Sequence, residues 1–480
     1  MTYKSIFASR RVVATLSLTG LFIAANWTSL AAQSAATRPP DILLIAIDDL
    51  NDWIGPLGGH PQARTPNMDR LADRGMVFTN AHTAAPLCNP SRTALMTGLR
   101  PSSTGVYGNG PDWRTMEVFE GIRTLPGFFR DAGYATYGAG KLFHAHTYGA
   151  AGFFGLNDQT AWDGFYPSLD RQLPDEVGPP VRPRNRNPGL LGFDWAAVAT
   201  DDRAMGDGQT VNFIETRLAD DDEGPRFLAE GIYRPHLPWY VPQAYLDLHP
   251  LDTIELPTVI DNDLDDVPEI ARVAPLQGNA MHDWVLEQGV WPEAVQAYLA
   301  SISFADAMVG RLLDALDASG RTENTIVVLF SDHGFHLGEK HRWRKQSLWE
   351  EATHVPLIVV APGLTTPGTR TDAPVSLMDI YPTLVDLAGL DAPGHLEGTS
   401  LLPLLEDPGA DWDEVALTTN EYMEHAVRDR RYRYIRHADG TEEFYDHQTD
   451  PNEWTNLADD PAVAGIKRAL ATAFPAVNVR

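Results

Sequence analysis

Two apolar runs that each end in acidic residues set the frame for this 480-residue chain. "DILLIAIDDLNDW" is apolar over 42–47 and closes on Asp48 and Asp49, and "TIVVLFSDHG" repeats the design over 326–330 before Ser331, Asp332 and His333. A β-rich run without polar alternation fits a strand covered on both faces, the condition of a parallel sheet between helices. Helical patterns lie between the runs: "TPNMDRLADRGM", "TLPGFFRDAGY" and "PEAVQAYLASISFADAMVGRLLDALDASG", the last stopping on Gly320. With the further β-rich stretches "YATYGAGK" and "HVPLIVVAPG", they predict an α/β architecture, a large mostly parallel sheet flanked by helices. Ligands of such sheets gather outside the carboxyl ends of the strands.

Past 407–413 the texture changes. "VALTTN", "HAVRDRRYRYIRH" and "EEFYDH" alternate like antiparallel strands, and "DPAVAGIKRALATAF" reads as a closing helix. This predicts a small C-terminal α+β subdomain with an antiparallel sheet over 411–480, after a main domain over 38–406. Two stretches rich in Gly, Pro and Asn, 147–191 and 250–289, read as functional loops or poorly ordered segments.

The acids at the strand ends raise a steric problem. Asp48 and Asp49 are adjacent, so on a regular strand their side chains would point to opposite faces. Both meet one ion only where the strand ends and twists. Buried carboxylates without partners are costly, and two acidic strand ends together imply a divalent cation.

The N-terminus has Lys4, Arg10 and Arg11, then an apolar run over 12–27, then small residues near Ala31. The pattern predicts a secretory signal peptide over 1–31 and an exported protein, periplasmic or secreted, with no membrane attachment after cleavage. The formal charge is −28, and the leader contributes only bases to it. So acidic a surface excludes nucleic acid as a partner, and an anionic substrate must be met by local clusters of Lys, Arg and His. Export also sharpens the meaning of Cys88, the only cysteine. Oxidising compartments pair cysteines, and a single one has no mate within the chain. In "CNPSRTALMTG" the residues Ser91 and Arg92 are predicted to open a helix, which places the thiol by free N–H groups and a positive dipole end, beside a planar cation.

These residues carry a resemblance. Cys88-Asn89-Pro90-Ser91-Arg92 resembles the C-x-P-S-R signature of the type I sulfatases, and "TGLRPSSTGVY" is similar to its continuation. "GKLFH", "YRPHLPW", "SDHG" and "ATHVPLIVVAPG" follow in the family's order, and "GKLFH" with Asp332-His333 looks most like the iduronate-2-sulfatase branch. The resemblance implies an alkaline-phosphatase-like sulfatase fold and hydrolysis of a sulfate ester, on a carbohydrate such as a uronic acid 2-sulfate or another sulfated polysaccharide unit. It implies that a maturation enzyme converts Cys88 to formylglycine. It also implies that Asp48, Asp49, Asp332, His333 and position 88 hold one divalent metal, Ca²⁺ ahead of Mg²⁺. Arg92 and Lys141 would hold the nucleophile's hydroxyls, His144 would act as the base that releases sulfate, and His236 and Lys345 would serve sulfate and the leaving oxygen.

Two other readings use the same residues. A phosphatase or phosphonate hydrolase of the same superfamily would use the metal and Arg92 on a phosphoryl group. An unmodified Cys88 would leave a non-catalytic binding protein for sulfated glycans. Outside the motif, His60 and His82 read as capping or packing side chains, and His336, His341 and His354 match no motif position. Arg182, Arg184 and Arg186 read equally as a polyanion-binding edge or a solvated loop.

Overall fold

A computed structural model describes residues 38–145, 155–176, 178–179, 192–273 and 278–480. The expected leader and Arg182, Arg184 and Arg186 lie outside the described residues. Residues 39–480 form one compact unit.

An eight-stranded sheet runs in the order Thr369–Thr371, Met76–Phe78, Leu357–Val360, Thr325–Ser331, Asp41–Ile47, Arg226–Ile232, Ala135–Gly140, Gly164–Tyr166. Every strand points the same way except Leu357–Val360, which pairs antiparallel with both its neighbours. The two acid-tipped runs are adjacent and parallel, with Ile47 opposite Ser331. Asp48–Asp49 and Asp332–His333 therefore emerge side by side from the middle of the sheet.

Both faces of the central strand are buried, as its unbroken apolar run requires. Leu43, Ile45 and Ile47 enter one core, with the helices Gly206–Leu218 and Trp291–Ala318 over them. Ile42, Leu44 and Ala46 enter the other, beneath Cys88–Thr97, Leu125–Asp131 and Ile380–Leu387. The sheet is the middle layer of three.

The C-terminal strands form a separate antiparallel sheet in the order Ala416–Thr419, His425–Arg428, Tyr432–Arg436, Glu442–Asp446. The closing helix Ala464–Leu470 packs on it, with Leu470 and Phe474 against Val427, Tyr434 and Phe444. This sheet is tied to the loops of the main sheet. Thr419 N–H donates to the Ala84 carbonyl at 2.9 Å, and Thr418 Oγ1 donates to the Thr83 carbonyl at 2.6 Å. Arg433, 0% exposed, lies between Glu350 and Glu453, with its Nε 2.5 Å from Glu453 Oε1 and its Nη1 donating to the Leu348 carbonyl at 2.9 Å.

Removing one partner of a buried ion network leaves uncompensated charge, at a cost of about 3–5 kcal/mol. Arg433→Met is expected to lower unfolding free energy by about that amount. Denaturant midpoints read the loss, and an unchanged midpoint would show that Glu350 and Glu453 do not depend on this guanidinium.

Candidate active site

The steric problem of the adjacent acids is solved by one residue. Asp49 has φ 61°, a left-handed turn directly after the strand, so its side chain rejoins that of Asp48 on one side. The turn is pinned at several points. Asp49 N–H donates to Asp332 Oδ1 at 3.2 Å, and Leu50 N–H donates to Ser331 Oγ at 3.0 Å. Tyr298 Oη, from the long helix Trp291–Ala318, donates to the Asp49 carbonyl at 2.7 Å and accepts from Asn51 N–H at 3.0 Å.

Cys88 is the first residue of the helix Cys88–Thr97, not a residue ahead of it. The expected start at Ser91 and Arg92 is corrected by three residues. The first-turn N–H groups of a helix have no intrahelical acceptor, so Pro90 loses nothing there and does not mark the boundary. The helix is buried along its length, and Ser91 Oγ and Thr83 Oγ1 both donate to the Asp332 carbonyl, at 2.5 and 2.7 Å.

Three cations answer the three carboxylates. Arg92 Nε donates to Asp332 Oδ2 at 2.8 Å and its Nη2 to Asp48 Oδ1 at 3.2 Å, while its Nη1 is held by the carbonyls of Lys141 and Leu142. Lys141 Nζ donates to Asp48 Oδ2 at 2.5 Å, and Lys345 Nζ bonds Asp49 Oδ1. The lysines also flank the thiol, with Cys88 Sγ 3.7 Å from Lys141 Nζ and 3.3 Å from Lys345 Nζ. The hydrogen bonds of Arg92 thus go to Asp48, Asp332 and two carbonyls rather than to Cys88. Lys141 reaches the site because two glycines let the backbones approach. A Cβ at Gly140 would lie 2.1 Å from the Gly231 carbonyl oxygen, and one at Gly231 would lie 2.3–2.5 Å from Lys141 backbone atoms.

The histidines complete the cluster. His333 Nε2 is 3.3 Å from Cys88 Sγ, 3.4 Å from Asp49 Oδ1 and 3.6 Å from Asp332 Oδ2. His236 Nε2 is 3.9 Å from Asp49 Oδ2, and its Nδ1 is 2.6 Å from the Leu237 carbonyl, which only accepts, so Nδ1 carries the proton. His144 is buried beside Lys141 on the same segment. All the motif residues except Lys345 and His236 are essentially sealed, and these two side chains, 11% and 14% exposed, form the open side of the cluster.

The electrostatics follow from burial set against neighbours. Burial pushes the Asp48 carboxyl up, but Lys141, His236 and Arg92 outweigh it and hold it well below the usual range. Asp49 and Asp332 are raised, because burial outweighs Lys345 for one and Arg92 for the other. Burial disfavours the Cys88 thiolate, yet Lys141 and Lys345 bring the thiol below its ordinary value. His144 and His236 are held well below theirs by burial and by Lys141. His333 moves the other way, up to about 9, because Asp332 outweighs its burial.

The donor set fits a divalent cation. Ligand atoms of Asp48, Cys88, Asp332 and His333 lie within 4.8 Å of one another, as do those of Asp48, Asp49, Cys88 and His236. Asp49 Oδ2 is buried without a hydrogen-bond partner among the described residues. Each set joins two carboxylates to one histidine and position 88, and its carboxylate oxygens suit a hard cation. A third group, Glu350, His447 and Glu453, is already engaged by Arg433 and Arg428.

The remaining histidines have local partners. His60 lies 4.3 Å from the Trp53 ring and accepts from Gln62 N–H, while His82 bonds Asn80. His336 bonds Ser347, His341 meets the Ile260 carbonyl, and His354 meets the Thr79 carbonyl. Sequence reasoning missed Tyr298, Thr83 and Ser331, which hold the acidic turns through backbone groups.

A profile of the sulfatase family matches residues 40–390. The chain belongs to the sulfatase family. It is a sulfuric ester hydrolase, and a second profile, N-sulphoglucosamine sulphohydrolase C-terminal, matches residues 338–479. The chain is 42% identical to a sulfatase of Formosa agariphila, over 92% of this chain and 87% of the relative. It is 31% identical to the choline-sulfatase of Rhizobium meliloti (91% and 86%) and 31% identical to the iduronate 2-sulfatase of Mus musculus (76% and 71%). Among solved structures, the phosphonate monoester hydrolase of Agrobacterium radiobacter superposes with a TM-score of 0.70 at 23% identity, covering 90% and 94%. A protein in complex with its substrate D-glucosamine-2-N,6-O-disulfate superposes with a TM-score of 0.69 at 21% identity, covering 91% and 96%. These two show the alkaline-phosphatase-like fold.

Anything that binds only the folded state stabilises it by mass action, about 2.7 kcal/mol at a hundredfold excess over Kd. Calcium is expected to raise the melting temperature of chelator-treated protein, and Asp49→Asn to remove most of that rise. An equal rise in the variant would place the ion elsewhere.

Proposed function

We propose that this sulfatase releases sulfate from a carbohydrate, with formylglycine at position 88 as nucleophile and one divalent cation, Ca²⁺ ahead of Mg²⁺, held by Asp48, Asp49, Asp332 and His333 together with position 88. One observation carries the reading: the only cysteine opens a buried helix with Lys141, Lys345 and His333 around its sulfur. A hydrated formylglycine presents two hydroxyls on one carbon, one to attack sulfur and one to expel sulfate afterwards. The cation, when bound, supplies charge to offset sulfate oxygens and to favour an ionised hydroxyl.

The chain's own residues do the rest. Lys141, anchored on Asp48, favours the negative oxygen at position 88, and Arg92 adds its field from behind the carboxylates. His144, kept neutral by burial and by Lys141, is suited to take a proton from the second hydroxyl so that sulfate leaves. Lys345 and His236, on the open side, meet the sulfate and the departing oxygen.

The carbohydrate reading draws on relatives that include an iduronate 2-sulfatase and on a fold neighbour holding a sulfated glucosamine. The acidic composition and the leader-like N-terminus support an exported enzyme, matured by a formylglycine-generating partner before folding. A choline-sulfatase at equal identity makes the small quaternary ester the direct competitor.

Two outcomes are expected. Sulfate release from a uronic acid 2-sulfate disaccharide should exceed that from choline sulfate by about tenfold or more in kcat/KM, a difference of about 1.4 kcal/mol in transition-state binding; the reverse order would overturn the carbohydrate assignment. A sugar alkoxide needs a proton as it leaves, whereas nitrophenolate leaves largely unaided. Lys345→Ala or His236→Ala should therefore lower kcat by roughly 10²–10⁴ on the sugar sulfate and far less on nitrophenyl sulfate. Equal kcat losses on both substrates for both variants would restrict these residues to sulfate binding.

A further inference from the structure

The two acid-tipped turns, 48–51 and 331–335, are bridged from outside by the helix Trp291–Ala318. Tyr298 of that helix, 0% exposed, touches both. Its hydroxyl donates to the Asp49 carbonyl at 2.7 Å and accepts from Asn51 N–H at 3.0 Å, so it spans the first turn. Its ring stacks on Phe335 of the second, with centroids 5.4 Å apart and planes 19° from parallel. Asn51, 1% exposed, joins the same two turns. Its Nδ2 donates to the Phe335 carbonyl at 3.1 Å, and its Oδ1 accepts from Trp53 N–H at 3.1 Å.

Tyr298 reaches Asp49 through the main chain and leaves the carboxylate to Lys345, His333 and His236. The left-handed φ of 61° at Asp49 is what brings that carboxylate to the side of Asp48, and such backbone persists only where its surroundings enforce it. The bonds from Asp49 N–H to Asp332 and from Leu50 N–H to Ser331 run between the turns themselves. Tyr298 instead ties the pair to a separate element. Its own place is set by Trp53 and Trp239, whose rings meet it edge-on with centroids 5.5 and 5.6 Å away. Without the hydroxyl, two buried backbone groups lose their partner and the left-handed turn loses a restraint.

We propose that Tyr298 and Asn51 form a positioning bracket that holds the two acidic turns at the spacing a divalent cation needs, and so set the affinity of the site for that cation. The inference rests on the metal reading above and deepens it. Groups that orient the ligands without binding the ion typically change metal affinity by about 10–100-fold.

Calorimetry with calcium alone, on full-length protein stripped by chelator, tests the bracket apart from turnover. Tyr298→Phe keeps the ring and its stacking on Phe335, and should raise the Kd for calcium by about tenfold or more. Asn51→Ala, which breaks the other arm, should raise it as well. The double variant should lose much less than the product of the two single losses, because both changes act on one bracket. A hydroxyl with only a structural role would lower the melting temperature of the metal-free protein and leave the Kd unchanged. A wild-type Kd in either single variant, with Asp49→Asn still losing calcium, would overturn the bracket and keep the metal site. Single losses that multiply in full in the double variant would make the two residues independent and overturn the bracket too. Calcium binding that is absent from wild type, or that Asp49→Asn leaves unchanged, would overturn the metal reading and the bracket with it.

Discussion

The structure depends on compensating three carboxylates buried at the ends of two neighbouring strands. Asp48, Asp49 and Asp332 are 0–1% exposed, and none would persist as an anion without a partner. Arg92 and Lys141 answer Asp48, Arg92 also answers Asp332, and Lys345 answers Asp49. Those cations come from three distant parts of the chain, so the charge balance is also a fold constraint. The helix that begins at Cys88 must lie across the strand ends, the strand Ala135–Gly140 must deliver Lys141, and the segment after His336–Leu337 must turn back with Lys345. Three cations formally balance three carboxylates, yet Asp49 Oδ2 has no hydrogen-bond donor among the described residues, and Asp332 draws His333 toward its charged form. That open carboxylate oxygen, beside Asp48, Cys88 and His236, suits a divalent cation.

The segment around Lys345 is the costliest piece of backbone in the site. Lys340, His341, Arg344 and Gln346 all have positive φ, a conformation that side chains with a Cβ adopt only when surroundings enforce it. The enforcement comes from outside the sheet. Lys340 pairs with Asp263 at 2.7 Å, and Trp343 Nε1 donates to His282 at 3.3 Å. Glu350, shortly after it, is held by Arg433 of the C-terminal sheet. The C-terminal sheet, together with Asp263 and His282, therefore helps to hold the backbone that carries Lys345.

How much was legible from sequence followed how local the signal was. The acid-tipped strands, the covered sheet and the antiparallel C-terminal strands were readable because burial writes a period into consecutive residues. The reactive cluster was readable through motif residues, above all Cys88 and Arg92. Strand direction was not: nothing in "HVPLIVV" distinguishes the antiparallel Leu357–Val360 from its parallel neighbours. The helix start at Cys88 was obscured by Pro90, whose missing N–H carries no cost in a first turn. The Gly- and Pro-rich 250–289 stretch read as loop, yet it contributes the helix Gly278–Gln288, whose His282 supports Trp343. Tyr298 gave no sign of its role, since a buried tyrosine on an apolar helix looks like core until the Asp49 carbonyl is seen at its hydroxyl.

The account's central claim is that the lone cysteine is a modification target set among cations, and not a structural thiol. Mass spectrometry of the peptide spanning Cys88, taken from preparations matured to different extents and matched to their turnover of nitrophenyl sulfate, tests it most directly. The account predicts an aldehyde or its hydrate at position 88, with turnover proportional to the modified fraction. Full turnover from protein whose Cys88 is entirely unmodified would contradict it.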